Sequence, residues 1–269
     1  MLPQEELIAR VRAISAADER LDALMMYGSF TRGEGDAYSD IEFLLFFEDE
    51  AFEQIGPRAW LEQIAPVLLD YTNEYGIIDV IFDNFVRGEF HFHRVSEMRI
   101  AEAWRGVIAF PSLESTLLLD KSGRFAPFLT PIIGPPPERA TEQTLSTVTR
   151  HFANIWLFGY QVLQRGEYAR AMELLNSVHR ELLHMARAVE STTDNWLTPS
   201  KSVEHDLSPA AYERFRACTA PLEPEAQRRA FAESWTWGKE LLAVIEAQYG
   251  VALPPQLIVH IDAVVAGRK

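Results

Sequence analysis

Apolar positions recur along this chain with two periods, and the change from one to the other divides it. Leu7, Ile8, Val11 and Ile14 fall at helical spacing within residues 3–15 and predict an amphipathic helix that covers a sheet. The run LDALMMY, residues 21–27, reads as a strand leading into a turn at Gly28-Ser29. A short helix is expected from Ser29, ended by Gly33 and Gly35. A second strand opens at Ser39-Asp40-Ile41-Glu42 and continues to Phe47, and the acidic stretch EDEAFEQIGP after it reads as a solvated loop. Trp60, Ile64, Val67, Leu68 and Tyr71 then predict a helix over 57–75 that Pro66 kinks or divides. Gly76–Phe82 reads as a strand bounded by Asp83-Asn84. Alternation is strict in Arg87–His93: Phe90 and Phe92 face a core, and Glu89, His91 and His93 share the other face. A helix around Ser96–Arg105 and a strand around Ser115–Asp120 complete this half.

The segment TPIIGPPP, from Thr130 to Pro137, interrupts all regular structure, and the domain boundary is placed there, with domains at 1–133 and 134–269. Beyond it the pattern is helical throughout. Long helices are expected over Thr141–Arg165 and Glu167–Val189, then about 209–218 and 224–248, with a last one after Pro254-Pro255. The fold class is α+β: a mixed sheet with flanking helices, followed by an antiparallel helical bundle. The aromatic stripe of the bundle reads as core, and aromatics at its end facing the first domain are where a ring-bearing substrate would lie. Arg170 and Lys201 could reach a cleft between the halves to hold phosphates.

Chemistry enters at the second strand. Asp40 and Glu42 are two residues apart, so they share one strand face with Cα atoms roughly 6–7 Å apart. Ionised groups among Ile, Phe and Leu are costly unless paired or metal-bound. A strand cap at Asp40 and an arginine partner for Glu42 would account for them separately. The Gly28-Ser29 turn favours a joint role, because glycine permits close backbone approach and a helix starting at Ser29 would aim free N–H groups at an anion. Arg32, one turn further on, could reach a phosphate. A phosphate cradle followed by metal-binding carboxylates is a constellation for nucleotide chemistry, and no Walker-type loop is present.

Gly28-Ser29, a ten-residue spacer and Asp40-Ile41-Glu42 together resemble the signature of the DNA polymerase beta-like nucleotidyltransferase superfamily. The fuller string GSFTRGEGDAYSDIE is similar to the active-site segment of antibiotic nucleotidyltransferases. The segments MMYGSFTRGEGD, NEYG, FDN, RGEFHF, RGEYAR and DNW, spread along the chain, most resemble the lincosamide nucleotidyltransferases. The resemblance implies an N-terminal nucleotidyltransferase domain that binds ATP or another NTP with two Mg²⁺ ions. It implies transfer of a nucleoside monophosphate to a sugar hydroxyl of a lincosamide antibiotic, with release of pyrophosphate and resistance as the outcome. Such an enzyme wants a third carboxylate from a neighbouring strand, and Asp79, Asp83 and Glu89 qualify by position. Asp79 shares a face with Ile77 and Ile81, whereas Glu89 opens an all-polar face. In the resembling enzymes the glutamate of the RGEFHF segment is the proposed general base, so Glu89 is chosen, with Asp79 next. The expected site is thus Asp40 and Glu42 on metal, Glu89 as base, and Gly28, Ser29 and Arg32 on nucleotide. An aminoglycoside nucleotidyltransferase, or a regulatory or toxin–antitoxin protein that adenylylates another protein, are the alternatives.

Composition narrows the partners. A formal net charge of −14 in 269 residues argues against a nucleic-acid binder and mildly favours a cationic small substrate. Apolar runs such as IEFLLFF are too short to span a bilayer, and MLPQEELIAR lacks the apolar core of a signal peptide. A lone Cys218 excludes an internal disulfide and fits a reducing cytoplasm. The expected species is a cytoplasmic monomer or homodimer without membrane or nucleic-acid partners. His91 and His93 at i, i+2 could ligate a transition metal, but no further Cys or His cluster supports it.

Overall fold

The run LDALMMY becomes strand β1 (Leu21–Tyr27) and IEFLLFF becomes β2 (Ile41–Phe47), paired antiparallel with Tyr27 opposite Glu42. Both runs are apolar on both faces, and that pattern needs cover on both sides of the sheet. The computed structural model describes residues 1–267 and divides the chain into two compact units, Met1–Pro137 and Glu138–Lys269.

In the first unit, helix α1 (Pro3–Ala17) precedes β1, and a four-residue 3₁₀ turn, Ser29–Arg32, follows it. After β2 come the short helices α2 (Asp49–Phe52) and α3 (Pro57–Leu61), then strands β3 (Val67–Thr72), β4 (Ile78–Phe82) and β5 (Arg87–Arg94). Helix α4 (Leu113–Thr116), β6 (Leu117–Asp120) and α5 (Ala126–Leu129) close the unit. The six strands form one mixed sheet in the order β3-β4-β5-β2-β1-β6, in which only β2 and β5 are parallel.

One face of the sheet, with Leu24, Ile41, Phe43 and Phe90, packs under Leu7 and Val11 of α1 and Trp60 and Leu61 of α3. The other, with Met25, Leu44 and Phe46, is covered by Met98 and Ala101 of a 3₁₀ segment and by Phe125 and Leu129. Each fully buried Leu or Phe here contributes roughly 1.5–3 kcal/mol relative to exposure.

The helix expected over 57–75 is a correction. It stops at Leu61, and Val67–Thr72 is an edge strand instead. Four residues of turn and bend follow Leu61, Pro66 bars the helix from resuming, and the Asn73–Gly76 turn folds the chain back, with Gly76 at φ +78° and the Asn73 Oδ1 accepting from the Tyr75 and Ile77 N–H groups. The region expected as a helix near 96–105 is a 3₁₀ run, Val95–Trp104. The expected strand at 115–120 begins at Leu117, after α4.

The second unit comprises α6 (Glu142–Gln164), α7 (Tyr168–Val189), α8 (Val203–Asp206), α9 (Pro209–Ala217), α10 (Pro224–Tyr249) and α11 (Pro255–Val265). The Thr141 hydroxyl caps α6 by accepting the Thr144 N–H. Its aromatic stripe is the core: Phe152, Trp156, Phe231 and Trp235 are buried together, and the Trp156 indole donates to the Phe231 carbonyl at 2.8 Å. Glycines let α6 and α10 approach. A Cβ on Gly238 would lie 2.3 Å from the Phe152 ring, and one on Gly159 2.8 Å from the Phe231 ring. No helix among the described residues is long and apolar enough to cross a membrane.

Candidate active site

Two loops frame the acidic residues, one leading to Asp40 and one lying against Glu42. Gln4 of α1, almost fully buried, donates its amide to the carbonyls of Ala37 and Ser39, both at 3.0 Å. That pins the segment leading to Asp40, which stands immediately before β2. Gly28 ends β1 with φ +80° and ψ −155°, a combination open essentially to glycine alone, and the Thr31 hydroxyl closes the turn on the Gly28 carbonyl at 2.7 Å.

Register does the rest. Glu42 on β2 pairs with Tyr27 on β1 and with Glu89 on β5, and Glu89 pairs in turn with Asp79 on β4. Residues in register share a face, so Tyr27, Glu42, Glu89 and Asp79 form one row across four strands. Asp40 and Arg87 lie one step back along β2 and β5 on that face. The Arg87 guanidinium stands between two carboxylates, 3.7 Å from Asp40 Oδ2 and 3.5 Å from Glu89 Oε1. One step forward is His91, whose Nε2 is 2.8 Å from the Tyr27 hydroxyl, and that hydroxyl is 3.3 Å from Glu89 Oε2.

The electrostatics follow from crowding. Burial, then the charges of Asp40 and Asp79, push the Glu89 carboxyl above the ordinary glutamate value, with the Tyr27 hydrogen bond and Arg87 offsetting part of it. Burial drives the His91 imidazole down to about 4, with His93 adding to the shift, so His91 is neutral at pH 7. Burial also raises the Tyr27 phenol, as do the charges of Glu89, Glu42 and Asp40, so it stays protonated.

The oxygen-only donors suit a hard cation such as Mg²⁺, which is usually held by one or two carboxylates together with substrate phosphates. Two observations bear on that fit. The Ser29 hydroxyl is buried without a hydrogen-bond partner. The Glu42 carboxylate lies against the backbone of Gly28, where a Cβ would come within 1.4 Å of Oε2. Among the described residues no group of three or more His, Cys, Asp or Glu side chains is gathered in a metal-holding arrangement.

The expected residues separate on this map. Asp40, Glu42 and Glu89 share one face, and Gly28 touches Glu42. Asp79 joins their row, and its carboxylate accepts from the Asn73 amide at 3.2 Å. Arg32 sits at the end of the 3₁₀ turn, half-exposed and ion-paired with Glu34 at 3.0 Å. Arg170 pairs with Glu167 at the surface of α7. Asp83 is exposed beyond β4. Tyr27 and Arg87 have no role in the reading of the sequence, where His91 enters as a face-mate of Glu89 and as a possible metal ligand with His93. The alternation in RGEFHFH marks His91 as a face-mate of Glu89, but nothing local says that Tyr27 reaches both.

Residues 141–264 match the family described as the C-terminal domain of lincosamide nucleotidyltransferase-like proteins. The second unit is therefore similar to that C-terminal domain. Comparison of the sequence with curated proteins yields no match. Among solved structures, an aminoglycoside 6-adenyltransferase from Bacillus subtilis is similar with a TM-score of 0.45 and 14% identity, over 98% of this chain and 96% of that one. A nucleotidyltransferase-like protein from Exiguobacterium sibiricum is similar with a TM-score of 0.39 and 15% identity, over 90% of this chain and 77% of that one. A CCA-adding enzyme in complex with CTP gives a TM-score of 0.34 and 11% identity, over 98% and 72%. In this chain the matched residues, 141–264, follow the sheet unit that carries the carboxylate row.

Proposed function

We propose that this chain is a Mg²⁺-dependent nucleotidyltransferase that transfers AMP from ATP to a hydroxyl of an antibiotic, a lincosamide first among them. The observation that carries the reading is the single sheet face on which Asp40, Glu42 and Glu89 meet, with Glu42 and Glu89 in register on parallel strands. The match of residues 141–264 to the lincosamide nucleotidyltransferase-like C-terminal domain supports the substrate class.

In the proposed reaction the acceptor hydroxyl oxygen forms a bond to the α-phosphorus as the bond from that phosphorus to the bridging oxygen of pyrophosphate breaks. The hydroxyl proton passes to Glu89, whose affinity for a proton is raised above that of an ordinary glutamate, chiefly by burial. Asp40 and Glu42 would hold the divalent cation, which when bound neutralises phosphate charge and stabilises the oxygens of the in-line displacement. The Ser29 hydroxyl, buried and without a partner, would donate to a phosphate oxygen beside the glycine turn.

The direct test is mass spectrometry of lincomycin, clindamycin and a panel of aminoglycosides after incubation with protein, MgCl₂ and each NTP. A lincosamide gaining the mass of an adenylyl group (AMP less one water) is the expected result, absent in Asp40→Asn and Glu42→Gln. Modification confined to aminoglycosides shifts the substrate class, and no modified drug of either kind overturns the reading.

A further inference from the structure

Tyr27 makes a contact that strand-end tyrosines do not need. It sits on β1, two strands away from β5 across β2, a lateral distance of roughly 10 Å at the usual strand spacing. A phenol spans much of that distance, and its hydroxyl meets two groups on β5 at once: His91 Nε2 at 2.8 Å and Glu89 Oε2 at 3.3 Å. The ring is held for this task. It packs edge-on against the His91 imidazole, with centroids 5.6 Å apart, and lies beside the Trp104 indole at 6.0 Å. The other carboxylate oxygen of Glu89 faces Arg87, so each side of the carboxylate has its own partner.

We propose that Tyr27 and His91 are positioning residues for the Glu89 carboxylate, joined in a chain that runs from His91 Nε2–H to the Tyr27 hydroxyl and from that hydroxyl to Glu89 Oε2. The inference rests on the reading of Glu89 as the base.

The direction of the chain follows from donor counting. A phenol has one proton, and a neutral imidazole has one N–H and one bare nitrogen. Were Tyr27 to donate to His91, its oxygen lone pairs would face an ionised Glu89 at 3.3 Å, which is repulsive. With His91 donating, the phenol proton is aimed at the carboxylate and satisfies an oxygen that must stay ionised until it takes the substrate proton. A phenylalanine at 27 would fill the same volume and leave this hydrogen bond unmade. Glu89 would then lose one of its two side supports, and its approach to the acceptor hydroxyl would be less well aimed, a cost that falls on the chemical step and not on binding.

Three measurements test this. Nitrogen-15 NMR of histidine-labelled protein is expected to show His91 as the Nε2–H tautomer, and the Nδ1–H tautomer would overturn the chain. Steady-state kinetics with MgATP and lincomycin are expected to show kcat lowered at least about tenfold in Tyr27→Phe, with both KM values within about threefold. His91→Leu should match that loss, and His91→Gln, which keeps an N–H donor, should recover most of it. Because His91 acts through Tyr27, adding His91→Leu to Tyr27→Phe should cost nothing further. Unchanged kcat in Tyr27→Phe, or losses that multiply in the double variant, would overturn the proposal, with thermal unfolding of each variant confirming the fold. Glu89→Gln, measured alongside, separates the two readings. Loss there with full activity in Tyr27→Phe rejects the positioning and keeps the base, whereas full activity in Glu89→Gln rejects both.

Discussion

The Glu42 carboxylate occupies the place where a side chain on Gly28 would be: a Cβ built there falls 1.4 Å from Glu42 Oε2. The glycine is therefore required twice over, by its backbone at φ +80° and by the carboxylate resting on it. The expectation from sequence was that bulk at 28 blocks a phosphate. The structure adds that the first group displaced is Glu42.

Gly28→Ala is thus expected to act on metal and nucleotide together. The apparent KM for nucleotide should rise, and the Mg²⁺ concentration for half-maximal rate should rise with it, in a protein destabilised by roughly 1–3 kcal/mol from backbone strain. Titrating Mg²⁺ at saturating nucleotide is the check. A raised nucleotide KM with an unchanged Mg²⁺ requirement would separate Glu42 from the cation.

A second prediction concerns the bundle. Arg187 is fully buried, and its guanidinium donates to the carbonyls of Thr192, Pro199 and Lys201 and to the Asp206 carboxylate. One side chain thereby ties the segment between α7 and α9 to the bundle. Arg187→Met fits the space but leaves three carbonyls without this donor, and the Asp206 carboxylate keeps the Asn195 amide at 2.9 Å. Asp206 is partly exposed, so the cost falls on the buried carbonyls, at about 1–3 kcal/mol for each acceptor left unmet, and urea unfolding should show a loss of at least that order. A change below about 1 kcal/mol would mean that water replaces the guanidinium.

How much of this was legible beforehand depended on range. Asp40 and Glu42 could be placed on one face because a two-residue spacing on a strand is a local fact. That Glu42 and Glu89 stand side by side is not local: it depends on the β2–β5 register, and the whole β3–β4 hairpin lies between the two strands in sequence. Asp79 was ranked lower for its Ile77 and Ile81 face-mates, and only the register shows it opposite Glu89. Residues 57–75 misled for a different reason. Trp60, Ile64, Val67, Leu68 and Tyr71 satisfy a helical period, and the pairing of Val67–Thr72 with β4 outweighs it after Pro66.

The third prediction is acid lability. The His91 imidazole is pushed down to about 4 in the folded protein, chiefly by burial, whereas in the unfolded chain it takes a proton near 6.5. Between those values the unfolded state binds the extra proton, so stability is full above about pH 6.5 and falls as pH drops toward 4. The interval corresponds to at most roughly 3 kcal/mol. His93, also depressed chiefly by burial, adds to it in the same sense. Denaturant unfolding at pH 7 and pH 4.5 should show the loss, and His91→Gln should remove a large part of the difference. An equal pH dependence in wild type and variant would place the lability elsewhere.

The last prediction decides between the two carboxylates that face each other across β4 and β5. Glu89 and Asp79 are register partners, so either could be the base by position. Their surroundings differ. Asp79 is engaged by the Asn73 amide, whereas Glu89 is held up by burial and by the charges of Asp40 and Asp79. If Glu89 is the base, its raised value sets the acidic limb of the kcat/KM profile above the ordinary glutamate range, because the ionised form is the active one. Glu89→Gln then loses on the order of 10²-fold or more in kcat, with the acceptor KM nearly unchanged. Asp79→Asn removes one of the charges that raise Glu89. It should keep most of kcat and move the acidic limb to lower pH, since a lone Glu89 gives up its proton more readily. Full profiles of both variants at fixed Mg²⁺ make the comparison. Should Asp79→Asn abolish turnover while Glu89→Gln keeps the wild-type limb, the base is Asp79, and the hydrogen bond from Tyr27 serves the fold and not the reaction.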